Sequence, residues 1–199
     1  MNLSIIGQAA GLFAVTNIDD ILILALFFAQ GAGHRNTTRN ILAGQYLGFA
    51  GILAVAVAAA VGATFLPDEA VPYLGLLPLA LGIKAAVQAW RHRNDNDDDQ
   101  SEANNDAPGI LAVAAVTFAN GGDNIGVYVP VFATAGAGGM TVYVIVFLLL
   151  VGVWVAAGRF FATRPIIAKA LSRWGHIILP IVLIGIGLLI LIEGGAFGL

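Results

Sequence analysis

The chain contains no cysteine, and only nine of its 199 residues are Lys or Arg. Without thiols there is no disulfide, no thiolate nucleophile and no cysteine ligand for a soft metal. The two methionines, Met1 and Met140, fall away from the middle of any apolar segment and supply no sulfur cluster. Nucleic-acid binding lacks its usual footprint, a basic cluster with interleaved aromatics. Charge of either sign is scarce: Asp, Glu, Lys and Arg make up 11% of the chain, against about 25% in ordinary soluble domains. Apolar residues reach 59%, against about 45–50% in such domains. An excess of that size points to lipid as the solvent. The net charge of −3 decides little, because the charges are so unevenly placed.

A bilayer core about 30 Å thick requires about 20 mostly apolar residues as helix. Six segments meet this length, at roughly Leu3–Ala29, Asn40–Phe65, Val71–Trp90, Ile110–Thr134, Thr141–Phe161 and His176–Ile192. The expected fold is an all-α integral membrane protein of six transmembrane helices. The N-terminal stretch carries aspartates and no basic n-region, which argues against a cleaved signal peptide. Between the third and fourth segments lies RHRNDNDDDQSEANNDAPG, acidic and rich in Asn. It has too little apolar surface to pack and is expected to be a hydrophilic linker. The resulting division is 1–90, a linker at 91–109, and 110–199.

Basic residues set the orientation. Arg35 and Arg39, Arg91 and Arg93, and then Arg159, Arg164, Lys169 and Arg173 fall in alternate connections, while the other connections and both ends have none. Away from the segment ends, only Lys84 lies inside a segment. The alternation works only with six spans, with both termini outside and the acidic loop in the cytoplasm of a multi-pass cell-membrane protein.

The two halves resemble each other. Val15–Ile21 reads VTNIDDI and Thr117–Ile125 reads TFANGGDNI. Asn17 then aligns with Asn120, Asp19 with Asp123 and Asp20 with Asn124, allowing one extra glycine. Gly31-Ala32-Gly33 recurs as Gly136-Ala137-Gly138, and Leu77-Pro78 as Leu179-Pro180. The offsets of 103, 105 and 102 are near constant, as duplication requires. Three spans per half make the second copy enter from the opposite side, an inverted-topology repeat with its site expected near mid-membrane between the copies.

Asp19, Asp20 and Asp123 lie near the middle of their segments. Each buried carboxylate costs about 2.5–3.5 kcal/mol on insertion scales, so stability alone gives no reason for three. An ion pair with Lys84 would still leave two unpaired. A bound cation serves the set better, and its neighbours are hard oxygen donors: Asn17, Asn120, Asn124, and the hydroxyls of Thr16 and Thr117. Asn17 and Asp20 share a helix face, as do Asn120 and Asp123, whereas Asp19 points about 100° away from Asp20 on an unbroken helix. Gly121-Gly122 is a natural place for a break that would free carbonyls; the first segment has no such glycine. Oxygen ligands suit Mg, Ca and Mn. Three carboxylates exceed the charge of a divalent ion, and a proton on one gives a basis for proton exchange. His34, His92 and His176 lie at segment ends and read as interfacial. Gln45 reads as glue between helices or as part of the site, Gly44 and Gly48 as close packing, Pro78, Pro130 and Pro180 as kinks, and Trp90, Trp154 and Trp174 as interface or packing residues.

At TNIDDI (Thr16–Ile21) and FANGGDNIGVYVPVF (Phe118–Phe132) the chain resembles the cadmium resistance transporter family of the lysine exporter superfamily. The resemblance extends over nearly the whole chain. It implies efflux of cadmium or related divalent ions, and it carries over onto Asn17, Asp19, Asp20, Asn120, Asp123 and Asn124 as ion-site residues. No permanently bound cofactor is implied. The transported ion stays open among Cd, Mn, Ca and Zn, since an all-oxygen site has no intrinsic preference for cadmium, and homo-oligomer formation stays open too. Two other readings compete. An exporter of an amino acid or small cationic solute would want more apolar lining than these Asn-rich motifs offer. An intramembrane aspartyl protease would pair Asp20 with Asp123, but leaves the symmetric asparagines unexplained.

Overall fold

The computed structural model describes residues 3–67, 70–91, 108–164, 181 and 184–192. The elements are α1 (Leu3–Thr16), α2 (Asp20–Gln30), α3 (Thr37–Ala63), a short 3₁₀ turn (Val71–Gly75), α4 (Leu76–Arg91), α5 (Ile110–Asn120) and α6 (Gly122–Ala162). Residues 184–192 are also helical, and there is no strand among the described residues. Nearly all of the acidic segment lies outside them, as do His92, Trp174, His176, Pro180 and the connection before the sixth expected span.

Two described helices, α3 and α6, are long and apolar enough to cross a membrane, and α1 with α2 passes only as one bent pair. The first expected span is therefore not one helix: it breaks at Asn17–Asp19 and bends by 60°. No glycine or proline causes this. Asn17 Nδ2 donates to Phe13 O at 2.8 Å, a carbonyl that also accepts the Asn17 backbone N–H at 3.0 Å. Thr16 Oγ1 donates to Leu12 O at 2.9 Å. Short polar side chains thus compete with the helix for its own carbonyls. Trp154 Nε1, on α6, takes the Asn17 carbonyl at 2.6 Å.

The second break falls where Gly121-Gly122 suggested it. α5 ends at Asn120, Gly121 is its C-cap, and α6 starts at Gly122. The expected connection between Thr134 and Thr141 is not a loop but a kink at one residue, Gly136 (φ 67°, ψ 175°). That conformation is essentially restricted to glycine. Without it α6, at 41 residues, would be a rod about 61 Å long, twice the hydrocarbon thickness.

α3 packs against α5 and α6, and α6 against α1 and α2. The spacing Gly44-x-x-x-Gly48 lets α3 approach closely: a Cβ at Gly44 would come 2.6 Å from the Ile110 carbonyl oxygen, and one at Gly48 2.6 Å from that of Ala114. Beside this contact sits an aromatic layer of Phe13, Phe49, Tyr128, Phe132 and Phe147, with Phe147 and Tyr128 at 4.8 Å and Phe13 and Phe49 at 5.5 Å. The polarity is inside out relative to a soluble protein. Leu26, Leu111 and Leu149 are exposed, while Asn17, Asp20, Gln45, Thr117 and Asn124 are buried. That is the distribution lipid demands, and the chain is a membrane protein.

Candidate cation site between two broken helices

The buried polar residues gather where the two breaks meet. Asp20 opens α2 and Asp123 lies in the first turn of α6, so both acids stand at helix N-termini, where the backbone dipole favours negative charge. Asn120, the last residue of α5, ties the acids of the other break together. Its Nδ2 donates to Asp20 Oδ1 at 2.7 Å and to Asp19 Oδ2 at 3.3 Å. The 100° separation expected for Asp19 and Asp20 on a continuous helix does not hold, because the break swings both toward one amide. Asp20 is buried and Asp19 exposed.

Asp20 has a second support. Gln45 Nε2 on α3 donates to Asp20 Oδ2 at 3.4 Å, and Thr117 Oγ1 donates to Gln45 Oε1 at 2.7 Å. Gln45, left open from sequence between glue and site, bonds Asp20, and Thr117 reaches Asp20 only through it. Asn17 and Asn124 form a separate pair: Asn124 Nδ2 donates to Asn17 Oδ1 at 3.2 Å. Asn17 Nδ2 donates to Thr16 Oγ1 and to the Tyr128 hydroxyl, each at 2.9 Å, and the two hydroxyls lie 3.0 Å apart. The pairing crosses between the motifs. Asn120 bonds Asp20, and Asn17 bonds Asn124, the counterparts under the repeat alignment.

Asp123 stands apart from both groups as an exposed residue, although its charge acts on Asp19 and Asp20. Lys84 on α4 acts in turn on Asp123. Among the described residues no three His, Asp or Glu side chains converge in a metal-holding group. The eight candidate residues thus form an acid cluster (Asp19, Asp20, Asn120, with Thr117 behind Gln45), an amide cluster (Thr16, Asn17, Asn124), and Asp123 beside them. No buried side-chain nitrogen or oxygen among the described residues lacks a hydrogen-bond partner.

Tyr128 and Trp154 were not singled out as site residues. The available signal for Tyr128 was its place in an apolar run, since a buried phenol needs a partner for its hydroxyl. Trp154 offered only its ring N–H. A cleft of about 610 Å³ lies elsewhere, lined by α1, α6 and residues 186–190, and none of the eight candidates lines it.

An apolar exterior, two interrupted helices and a buried Asp20 with its amide partners define a membrane protein with an internal polar site. The family model described as cadmium resistance transporter matches residues 13–199, and the chain belongs to that family, a family of transporters. No curated protein and no solved structure matches it.

Proposed function

We propose that the protein exports divalent cations, cadmium among them, from the cytoplasm through the acids at the two breaks. The observation that carries this reading is the Asn120 bridge. One amide from the second motif holds two carboxylates of the first, the buried Asp20 at 2.7 Å and the exposed Asp19 at 3.3 Å, in a chain whose outer surface is apolar. Such an arrangement costs free energy unless a cation uses it. The ligands are all oxygen, which fits Mn²⁺ or Ca²⁺ as readily as Cd²⁺ or Zn²⁺.

The same reading includes membership of the lysine exporter superfamily and six spans as two inverted three-helix repeats. It is supported by the crossed Asn–Asp and Asn–Asn pairs between the two motifs. It places both termini outside and residues 91–109 in the cytoplasm, and it couples export to proton entry through the surplus carboxylate.

The test is transport by the purified protein in sealed vesicles, with Cd²⁺, Mn²⁺, Ca²⁺ and Zn²⁺ compared with and without a pH gradient. Saturable movement of at least one ion, accelerated by the gradient, is expected. No movement of any of the four, by protein that is folded and inserted, refutes the reading.

A further inference from the structure

Lys84 is the one basic residue in the interior of an apolar segment, Arg159 lying in the last turn of α6, and the export reading gives it no task. Its position is fixed by packing. α4 lies against α6. Leu81 sits over Gly126, where an added Cβ would come 2.7 Å from Leu81 Cδ1. Lys84 follows Leu81 by three residues and so shares its face; Asp123 precedes Gly126 by three and shares that face. The Lys84 charge reaches Asp123, in keeping with both lying one turn from the Leu81–Gly126 contact.

Asp123 differs from the other two acids in what holds it. Asp19 and Asp20 take side-chain hydrogen bonds from Asn120, and Asp20 another from Gln45. Asp123 is held by the backbone N–H groups of its own turn, and the nearby charge of opposite sign is Lys84. Lysine suits an exchangeable partner better than arginine. Its ammonium is a compact charge on a flexible stem, without the planar fork that fixes a bidentate pair.

We propose that Lys84 is a tethered counter-cation for Asp123 in the unloaded carrier, displaced by the transported ion on loading and returning when the ion leaves. The inference rests on the export reading above and adds a competitor to it. A carrier that resets without cargo must bring uncompensated carboxylates through a low-dielectric interior, and a built-in ammonium offsets one of them. The same ammonium competes with the ion, so it weakens loading while speeding the reset.

The experiment measures Cd²⁺ transport by the full chain in vesicles in two modes. Net export includes the unloaded reset; exchange of labelled for unlabelled Cd²⁺ does not. In Lys84→Met the KM for Cd²⁺ is expected to fall by roughly tenfold, the scale of removing one nearby unit charge. Net export should slow while exchange keeps its wild-type rate, and Lys84→Arg should fall between the two. Because the chain has no other cysteine, Lys84→Cys can be modified selectively. Aminoethyl methanethiosulfonate, which attaches an ammonium, should restore the wild-type KM and net rate; a neutral methanethiosulfonate should not. Unchanged KM and an unchanged ratio of net export to exchange in Lys84→Met overturn the inference and leave the export reading standing. So does equal rescue by the charged and neutral reagents, or failure of both Lys84→Met and Lys84→Cys to reach the membrane. Absence of any cation transport by the wild-type protein overturns both.

Discussion

Asp20→Asn separates a carboxylate kept for a cation from one kept for the fold. The substitution preserves shape and removes one charge. Asp20 Oδ1 accepts from Asn120 at 2.7 Å and Oδ2 from Gln45 at 3.4 Å. An asparagine still accepts from Asn120 through its own Oδ1, but presents an NH₂ to Gln45. Gln45 can turn its amide and offer Oε1, since Thr117 Oγ1, now its donor at 2.7 Å, can instead accept. The bond count survives, with charge-assisted bonds replaced by neutral ones at about 1 kcal/mol. Against that, a buried carboxylate is relieved of about 2.5–3.5 kcal/mol. The variant should be as stable as the wild type or more so, by about 1–2 kcal/mol on these scales. The ion loses far more. At 4 Å and an effective dielectric of 20, one pair of unit charges is worth about 4 kcal/mol, and even half of that is about thirtyfold in affinity. Thermal unfolding of the purified variant and Cd²⁺ uptake into vesicles should therefore move apart: midpoint unchanged or raised, uptake lost. A lowered midpoint with transport retained in the surviving protein would refute the reasoning, because Asp20 would then serve the fold.

Two further perturbations test other parts of the structure. Gly48→Val drives a side chain into the Ala114 carbonyl and Thr117, so it should destabilise the α3–α5 contact by about 1–3 kcal/mol, read as a lower unfolding midpoint. Asn17→Ala and Asn120→Ala should differ although the repeat pairs them. Asn17 is fully buried and bonds Phe13, Thr16, Tyr128 and Asn124, so its loss should cost about 2–4 kcal/mol of stability; Asn120 is half-buried, and its loss should raise the KM for Cd²⁺ with little change in unfolding, the two measurements being compared side by side.

The membrane class and the identity of the interior polar residues were legible in the sequence, because buried acids in apolar segments have few explanations. The break at Gly121 was legible for the same reason, being marked by glycine. The break at Asn17–Asp19 was not, since it arises from side-chain amide and hydroxyl groups bonding the preceding turn and from a Trp154 donor 137 residues away. The kink at Gly136 was visible only as a Gly-Ala-Gly triplet, which marks a turn without giving its length. Which candidates meet was also out of reach. Thr117 points to Gln45 rather than to an acid, and Asn17 to Asn124, because these contacts depend on how α3 and α5 seat against each other.

The Asn120 bridge bears on how quickly the site can respond. Its amide carries two hydrogens on one atom and lone pairs on the other, and here the hydrogens face Asp19 and Asp20. A half-turn about the last side-chain bond exchanges donor for acceptor and points the oxygen at the same place. Such turns of exposed side chains take picoseconds to nanoseconds, whereas collective helix displacements take microseconds or longer, and a half-buried amide needs only its two bonds broken to turn. A residue that clamps two like charges in one orientation thus becomes a ligand in the other, with no backbone movement. In the proposed export cycle, recognition at this site would be separated in time from the slower rearrangement that carries the ion across.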